Sequence, residues 1–229
     1  MIGAPQLDRR SAFTRSQEDY LKALYLLGGA DRPVPTRELA QRLGISSPSV
    51  SEMVTRLSVQ GLVEHDRYRG QQLTREGRKV ALELVRHHRL LEVFLVEVLG
   101  YSWDEVHDEA ERLEHVISER MEQRIFELLG RPELDPHGHA IPTRGGKMRA
   151  VSHRSLSESR VGERLVVQGV SDDDPLKLRE LQRRGLVPGT SITVVGASEF
   201  EGPVEVRLKG RRESVPLGLA RAVFVAEAR

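Results

Sequence analysis

Regular spacing of hydrophobic residues begins at Ser16. Residues 1–15 mix glycine, proline and charge without a period, which predicts a flexible lead-in. Ser16 to Asp19 has the spacing of a capping box, in which two side chains satisfy each other's backbone amides. Leucines at positions 21, 24 and 27 then recur at helical intervals until Gly28. The pattern predicts a first helix from Ser16.

Two short helices and a hairpin are predicted next. Thr36 begins a second helix that ends near Gly44, and a third helix runs over residues 47–57, with its apolar side chains on one side. Residues 61–65 and 71–74 are β-type runs joined by a short polar loop. This order predicts a helix-turn-helix followed by a β wing.

Two longer helical patterns follow the hairpin. Residues 74–99 place apolar side chains at helical intervals, and Gly100 is a plausible stop. Ser102 to Glu105 repeats the capping-box spacing, and the apolar period then continues to about Gly130. The sequence therefore predicts two helices in this segment, joined by a short loop.

The pattern changes again after residue 133. Residues 134–159 are rich in proline, glycine, histidine and serine and predict a linker. Four short β-type runs separated by glycine and proline come next: 164–168, 191–195, 204–208 and 222–226. They predict a small β-barrel. The predicted fold is thus mainly α, with a winged helix-turn-helix, a helical middle and a small β-barrel.

Composition narrows the functional classes. Lysine plus arginine number 35 against 34 aspartate plus glutamate, so binding to nucleic acid requires a local basic surface. The chain has no cysteine, so a metal site is restricted to imidazole, carboxylate, thioether and backbone oxygen, which suit Mn²⁺ and Fe²⁺. No apolar run approaches the ~18 residues that cross a bilayer, and the N-terminus lacks an apolar signal core. We expect a cytoplasmic protein without a membrane partner.

The helix-turn-helix and wing indicate DNA binding. Such a unit presents one helix to the major groove of double-stranded DNA, while wing arginines neutralise phosphates. The candidate contacts are Ser46, Ser47, Pro48, Ser49, Glu52, Arg56, Arg67 and Arg69. The alternative is a protein-interaction module in which these arginines are only solvated.

Potential metal ligands gather on one face of the predicted 102–130 helix, at offsets of zero, four, seven and eight: His107, Glu111, Glu114 and His115. Unless a cation or solvent neutralised them, these groups would repel one another against a partner helix. His88 and Glu92 are also four apart on the preceding helix, which a short loop makes a neighbour. The alternative is a solvated acidic face with incidental histidines.

Two strings within this order of elements carry a family resemblance. HRLLE at residues 88–92 and VHDEAERLEH at residues 106–115, after a winged helix, resemble the diphtheria toxin repressor family of metal-dependent transcriptional regulators. The resemblance runs from about Ser16 to Leu129. The segment around Gly185 to Gly189 is similar to the SH3-like, FeoA-type domain of the longer members.

The resemblance implies two metal sites. The primary site would use Asp19, Glu111, Glu114 and His115, and the ancillary site His88, Glu92 and His107. Longer members can draw an ancillary ligand from the C-terminal domain, where Asp172, Asp173 and Asp174 lie, and Asp174 is taken as the candidate.

The resemblance also bears on which metal binds. Iron- and toxin-type members have a methionine at the position of Asp19 and a cysteine at that of Glu111, so the acids here favour Mn²⁺ as corepressor. Lys22 stands where some manganese regulators place a further glutamate, and His107 with the C-terminal domain is similar to the iron-responsive branch. Fe²⁺ therefore remains the alternative.

The implied organisation is that of a homodimeric repressor of metal-homeostasis genes that binds palindromic operators. Its segments are a lead-in (1–15), a winged-helix DNA-binding domain (16–75), a helical dimerisation and metal-binding domain (76–133), a linker (134–159) and an SH3-like, FeoA-type domain (160–229). Trp103, Leu113 and Val116 are candidates for the dimer interface or the core.

Metal binding would act as a switch because Asp19 precedes the DNA-reading unit, whereas its co-ligands lie far along the chain. Two other functions stay open. Carboxylate and histidine clusters also build metalloenzyme sites, although no His-Glu-x-x-His motif is present and we expect no enzyme. A winged-helix regulator of an organic ligand would leave the acidic helix merely solvated.

Overall fold

The computed structural model describes residues 13–66, 68–152, 154–198 and 201–228. Its helices are α1 (Arg15–Leu26), α2 (Thr36–Leu43), α3 (Ser47–Val59), α4 (Arg75–Glu97), α5 (Val106–Leu113), α6 (Glu119–Leu128), α7 (Pro175–Arg184) and α8 (Leu217–Ala220). Its strands are β1 (Val63–Asp66), β2 (Gly70–Leu73), β3 (Arg164–Val170), β4 (Ser191–Ala197), β5 (Val204–Leu208), β6 (Arg211–Val215) and β7 (Val223–Glu227).

The chain forms two compact units. The first contains the described residues up to His88 together with 114–123 and 142–147. The second contains 89–113, 124–141 and the described residues from Met148 onward. None of the described helices has the length and apolar character needed to cross a membrane.

The cap of α1 differs from the prediction. Thr14, not Ser16, caps the helix: its side chain accepts a hydrogen bond from the backbone N–H of Gln17, whose own side chain returns to the Thr14 N–H. Both residues fit a capping-box spacing, but only Thr14 has the extended backbone that a cap needs. Most of the predicted lead-in, residues 1–12, lies outside the described residues.

The helix-turn-helix is confirmed. Gly44 ends α2 in the left-handed conformation, at φ 66°, and Ser46 caps α3 through the backbone N–H of Ser49. Pro48 lies in the first turn of α3, where a backbone N–H would have no helical acceptor, so the missing N–H of proline costs no hydrogen bond. Helices α1 to α3 share one core built around Leu21, Leu39 and Val54, among others.

The wing is an antiparallel hairpin of β1 and β2, with Val63 opposite Leu73. A third segment joins it, because the backbones of Val34 and Gln71 exchange both hydrogen bonds of an antiparallel bridge. Gly70 is required beside this bridge: an added Cβ would lie 2.1 Å from the carbonyl oxygen of Val34, and its φ is 110°. The segment before α2 therefore fixes the second wing strand.

The single helix predicted from 102 to 130 is wrong. The chain forms α5 and α6 instead, with a turn at residues 114–116 and two further residues between them. Ser118 starts α6, because its hydroxyl accepts from the N–H of Met121 and its carbonyl from that of Glu122. Glu114 and His115 consequently lie on the turn after α5, not on a continuous helical face with Glu111.

The C-terminal region contains a five-stranded antiparallel sheet in the order β6, β5, β4, β3, β7. The sheet is not closed in the described part of the chain, since β6 and β7 are its edges, so the predicted barrel is corrected to an open sheet. Four of its strands were predicted from the sequence, whereas β6 and α7 were not. Its core includes Leu165, Val206, Leu178 of α7, and Trp103.

Candidate metal centre

His115 is held between two neighbouring carboxylates of α1. Its Nδ1 lies 2.6 Å from Oε2 of Glu18, and its Nε2 lies 3.0 Å from Oδ1 of Asp19. Oε1 of Glu114 is 3.5 Å from the same Nε2. Ligand atoms of Asp19, Glu114 and His115 all lie within 4.8 Å of one another. We call these three residues the first centre.

A lysine lies beside the first centre. Nζ of Lys22 is 2.9 Å from Oε1 and 2.8 Å from Oε2 of Glu114, and 3.1 Å from Nδ1 of His88. Nδ1 of His88 is also 2.6 Å from Oε2 of Glu114. Although burial favours the neutral acid, His88 and Lys22 together lower the pKa of Glu114 below its ordinary value. Glu114 is therefore an ionised, buried carboxylate.

The first centre fits a divalent cation. Nε2 of His115 is buried and makes no hydrogen bond to any described residue, although Oδ1 of Asp19 lies 3.0 Å away. With Glu18 on Nδ1, the lone pair of Nε2 is directed toward Asp19 and Glu114. A carboxylate on the distal nitrogen is the usual support of a metal-ligating histidine.

Protons compete for His115. Burial favours its neutral ring, but Asp19, Glu18 and Glu114 outweigh this and raise the pKa of His115 to about 9. The ordinary value is ~6.5, so protonated His115 stabilises the metal-free protein fully below ~pH 6.5. That stabilisation is lost as the pH rises through about 9.

We therefore expect the melting temperature of the chelator-treated protein to fall between pH 7 and pH 9, and to fall less in His115→Gln. Mn²⁺ binding at pH 7.5 should also release close to one more proton in wild type than in this variant, measured by calorimetry in buffers of different ionisation enthalpy. Equal pH dependence in the two proteins would contradict the assignment.

A second cluster lies within the second unit, and we call Glu92, His107, His137 and Asp172 the second centre. Nδ1 of His107 is 3.3 Å from Oε1 of Glu92 and 3.9 Å from Oδ2 of Asp172. Nδ1 of His137 is 3.6 Å from Oε2 of Glu92. Ligand atoms of Glu92, His137 and Asp172 fall within 4.8 Å of one another.

The second centre also fits a cation. Nε2–H of His137 donates to the Trp103 carbonyl at 2.8 Å, which leaves buried Nδ1 without a hydrogen-bond partner among the described residues. Against the effect of burial, Glu92 and Asp135 raise the pKa of His137 to about 9. His139 is 3.6 Å from Asp172 and 3.3 Å from Asp135, and its pKa is also raised. The negative charge of the carboxylates in the second centre is thus balanced by protons on His137 and His139, and a bound metal would displace protons from this centre.

Asp19, Glu114 and His115 come together, and Glu92 lies beside His107. His88, four residues before Glu92 on α4, contacts Glu114. Glu111 is in the second unit, 3.8 Å from Nε2 of His107, and its side chain is half exposed.

Asp174, the candidate ligand from the C-terminal domain, lies at the start of α7. Its carboxylate caps α7 by accepting hydrogen bonds from the N–H groups of Leu176 and Lys177, so it has a local structural role. Asp172, two residues earlier, is the acid that faces His107 and His139.

Glu18, His137 and His139 were not among the ligands predicted from the sequence. Glu18 was overlooked beside the better-matched Asp19. The two histidines lie in the segment interpreted as a linker, where Asp135, His137 and His139 alternate with proline and glycine. That alternation was the available signal, because a short Asp and His cluster in a linker is a metal-binding composition.

The DNA-binding candidates that the structure describes form an exposed surface at the start of α3 and in the wing. Ser46, Ser47, Pro48 and Ser49 are all exposed. Arg56 is paired with Glu52 one turn away on α3, and Arg69 is exposed near the wing tip. Arg67 lies outside the described residues.

Three family models match the chain. The model for "Iron dependent repressor, N-terminal DNA binding domain" matches residues 12–71. The model for "Iron dependent repressor, metal binding and dimerisation domain" matches residues 74–143. The FeoA domain matches residues 154–227.

Known proteins match nearly the full length. The iron-dependent repressor IdeR of Mycobacterium leprae is 34% identical over 222 residues, covering 91% of this chain and 95% of the relative. A solved manganese-dependent transcriptional repressor in complex with manganese is 39% identical, with a TM-score of 0.86, covering 93% of this chain and 100% of that one. The manganese regulator SloR is 31% identical, with a TM-score of 0.77 and coverage of 94% and 100%.

Proposed function

Because the chain belongs to the diphtheria toxin repressor family of metal-dependent transcriptional repressors, we propose that Mn²⁺ bound at the first centre switches it into its DNA-binding state. The observation that carries this proposal is the position of His115 between Glu18 and Asp19, with Nε2 available. We propose Glu111 as a fourth ligand on the resemblance alone. When bound, the ion would supply a divalent charge that offsets the repulsion between the carboxylates of the first centre.

The switch follows from where the ligands lie. Asp19 is on α1, which shares its core with α2 and α3, whereas Glu114 and His115 are on the turn after α5. The ion binds conformers in which α1 lies against the turn after α5. The population of these conformers therefore rises when metal is added. Binding can shift this equilibrium only by the difference in metal affinity between the states. A coupling of ~1–3 kcal/mol would raise DNA affinity ~5- to 150-fold.

Mn²⁺ is the metal that we propose, with Fe²⁺ as the alternative. The first centre offers two carboxylates and one imidazole, hard and intermediate donors that suit Mn²⁺. The relatives divide on this point, since one is described as a manganese-dependent repressor and another as an iron-dependent repressor.

The second centre is proposed as the ancillary site. The expected ligands Glu92 and His107 belong to it, and we retain His88 as a candidate because it lies one helical turn from Glu92. Asp172 replaces Asp174, and His137 is added, with His139 as a neighbour that neutralises Asp172. Filling this centre would fix residues 135–139 to α4 and to the segment that leads into α7.

DNA binding is assigned to the start of α3 and to the wing. We propose that Ser46 to Ser49 approach base edges in the major groove, while Arg56, Arg69 and Arg67 bind phosphates. A homodimer would carry two such units to a palindromic operator in the cytoplasm. Val116 is 74% exposed and remains an interface candidate, whereas Trp103 belongs to the core of the second unit.

The domain division is also a proposal. The proposed winged helix (16–75), helical dimerisation and metal-binding part (76–133) and SH3-like, FeoA-type part (160–229) are supported by the family matches to residues 12–71, 74–143 and 154–227. Residues 134–159 are proposed to link them and to supply His137 to the second centre.

A single titration tests the function. DNA fragments selected from a random pool in the presence of Mn²⁺ are titrated with protein under chelator, Mn²⁺ or anaerobic Fe²⁺. We expect DNA affinity to rise by at least ~5-fold with Mn²⁺. Glu111→Ala should reduce the response if this residue completes the first centre. DNA binding that is the same under chelator and under both metals would reject the proposal.

A further inference from the structure

Three arginines form a row across the outer face of the C-terminal sheet. Arg212 of β6 lies opposite Arg207 of β5. Arg207 lies opposite Thr193 of β4, which in turn lies opposite Arg164 of β3. All three arginines are exposed, and buried positions alternate with exposed ones along β5, so the row faces away from the core. We call Arg164, Arg207 and Arg212 the arginine row.

The charges of the arginine row are only partly balanced. Glu205, which precedes Arg207 by two positions on the same face, pairs with Arg212 at 3.2 Å. No ion pair joins Arg164 or Arg207 to a residue that the structure describes. Like charges directly opposite each other destabilise a pair of strands. The sheet therefore carries a local electrostatic cost at this face, and an anion bound there would remove it.

A fourth cation stands at the end of the same hairpin. Leu208 pairs with Arg211, so Lys209 and Gly210 form a two-residue loop between β5 and β6. Lys209 is exposed and has the left-handed backbone, at φ 47°, where such loops usually have glycine or asparagine. A residue that breaks the local preference on an open surface points to a use outside the fold.

We propose that the arginine row and Lys209 form a second DNA-binding surface, which holds phosphates without reading the sequence of the bases. Neighbouring strands are ~4.8 Å apart, so the row extends ~14 Å across the sheet. Duplex DNA carries ~8 phosphate charges over that length, which makes it a partner of complementary charge and matching extent. Thr193, between two of the arginines, adds a hydroxyl donor. The inference rests on the proposed function for naming DNA as the partner.

The experiment measures how salt affects DNA binding by the full-length protein. The row variant carries Arg164→Gln, Arg207→Gln and Lys209→Gln, which remove three exposed charges. Fluorescence anisotropy at saturating Mn²⁺ follows binding to a selected fragment with long flanks and to a duplex of scrambled sequence. Each lost phosphate contact should make the slope of log affinity against log salt shallower by ~0.9. The change should be the same on both duplexes, because phosphates carry no sequence information.

A control variant carries Lys177→Gln, Arg183→Gln and Arg221→Gln, three exposed cations elsewhere in the C-terminal region. It should keep the wild-type slope. The row variant without DNA should melt no lower than wild type, because the substitutions remove repulsion between opposite strands. A wild-type slope in the row variant, or an equal change of slope in the control variant, would overturn the inference.

The manganese response separates this inference from the proposed function. The row variant should keep the wild-type ratio of DNA affinity in Mn²⁺ to DNA affinity under chelator, because the first centre is intact. If wild type shows no such response but the row variant changes the slope, the proposed function fails and the second surface stands. Weaker binding of polyglutamate by the row variant with an unchanged DNA slope would assign the surface to an acidic protein and overturn the inference.

Discussion

Asp19→Asn is expected to weaken Mn²⁺ binding at the first centre by at least ~100-fold and to abolish the manganese-dependent gain in DNA affinity. The substitution keeps the size of the side chain but removes the charged oxygen that lies 3.0 Å from Nε2 of His115. Loss of a group that only supports a ligand already lowers metal affinity by ~10- to 100-fold. Loss of a ligand itself should therefore lower it by at least the upper end of this range. Calorimetry gives the metal affinity, and fluorescence anisotropy gives the DNA affinity.

Asp31→Asn is the matched control. This aspartate follows α1, its side chain is 85% exposed, and it pairs with Arg78 at 3.9 Å. The same charge change there should leave Mn²⁺ binding and the DNA response at wild-type values. A full manganese response in Asp19→Asn would remove Asp19 from the switch.

Arg86→Leu is expected to lower the free energy of unfolding of the metal-free protein by ~3–5 kcal/mol, the usual cost of breaking a buried ion pair. Nη2 of Arg86 is 2.7 Å from Oε1 of Glu122, and Nη1 is 2.6 Å from the Pro142 carbonyl. Both charged side chains are at most 5% exposed. Arg144 contacts the other oxygen of Glu122, so the variant leaves Oε1 and the Pro142 carbonyl uncompensated.

Urea unfolding followed by circular dichroism measures this change, with Lys79→Met as the control. Lys79 pairs with Glu76 on the same helix, but both side chains are more than half exposed, so its loss should cost less than ~1 kcal/mol. A loss below ~1 kcal/mol in Arg86→Leu would show that the buried network does not hold α4 to α6.

The helix-turn-helix could be predicted from sequence because its signals are local. Gly44 ends α2 and Ser46 with Pro48 begins α3, and each acts through its own backbone. The break between α5 and α6 was missed because Ile117 and Met121 continue the apolar period of α5, while the deciding cap at Ser118 breaks the helix without changing that period. Whether the sheet closes into a barrel also could not be predicted from the sequence, because it depends on which strands pair with one another.

The candidate site shows the same division. Glu114 and His115 could be named from the family string at residues 106–115, because spacing and residue type carry them, whereas Asp19 was named only through the wider family resemblance. Glu18 was missed because its role depends on which side of α1 faces His115, and the actual cap of α1, Thr14, lies two residues before the predicted one. His137 was missed because its burial comes from a tertiary contact, the hydrogen bond to the Trp103 carbonyl.

The bridge between Val34 and Gln71 limits how the wing can behave. A hairpin attached only at its two ends could search the DNA surface on its own, adjusting to whichever groove width it meets. Here hydrogen bonds join the wing to the chain segment between α1 and α2. A tilt of α3, the helix proposed to lie in the groove, should therefore move the hairpin as well. Discrimination between sequences should then include a penalty for grooves of the wrong width, even at base pairs that no side chain touches.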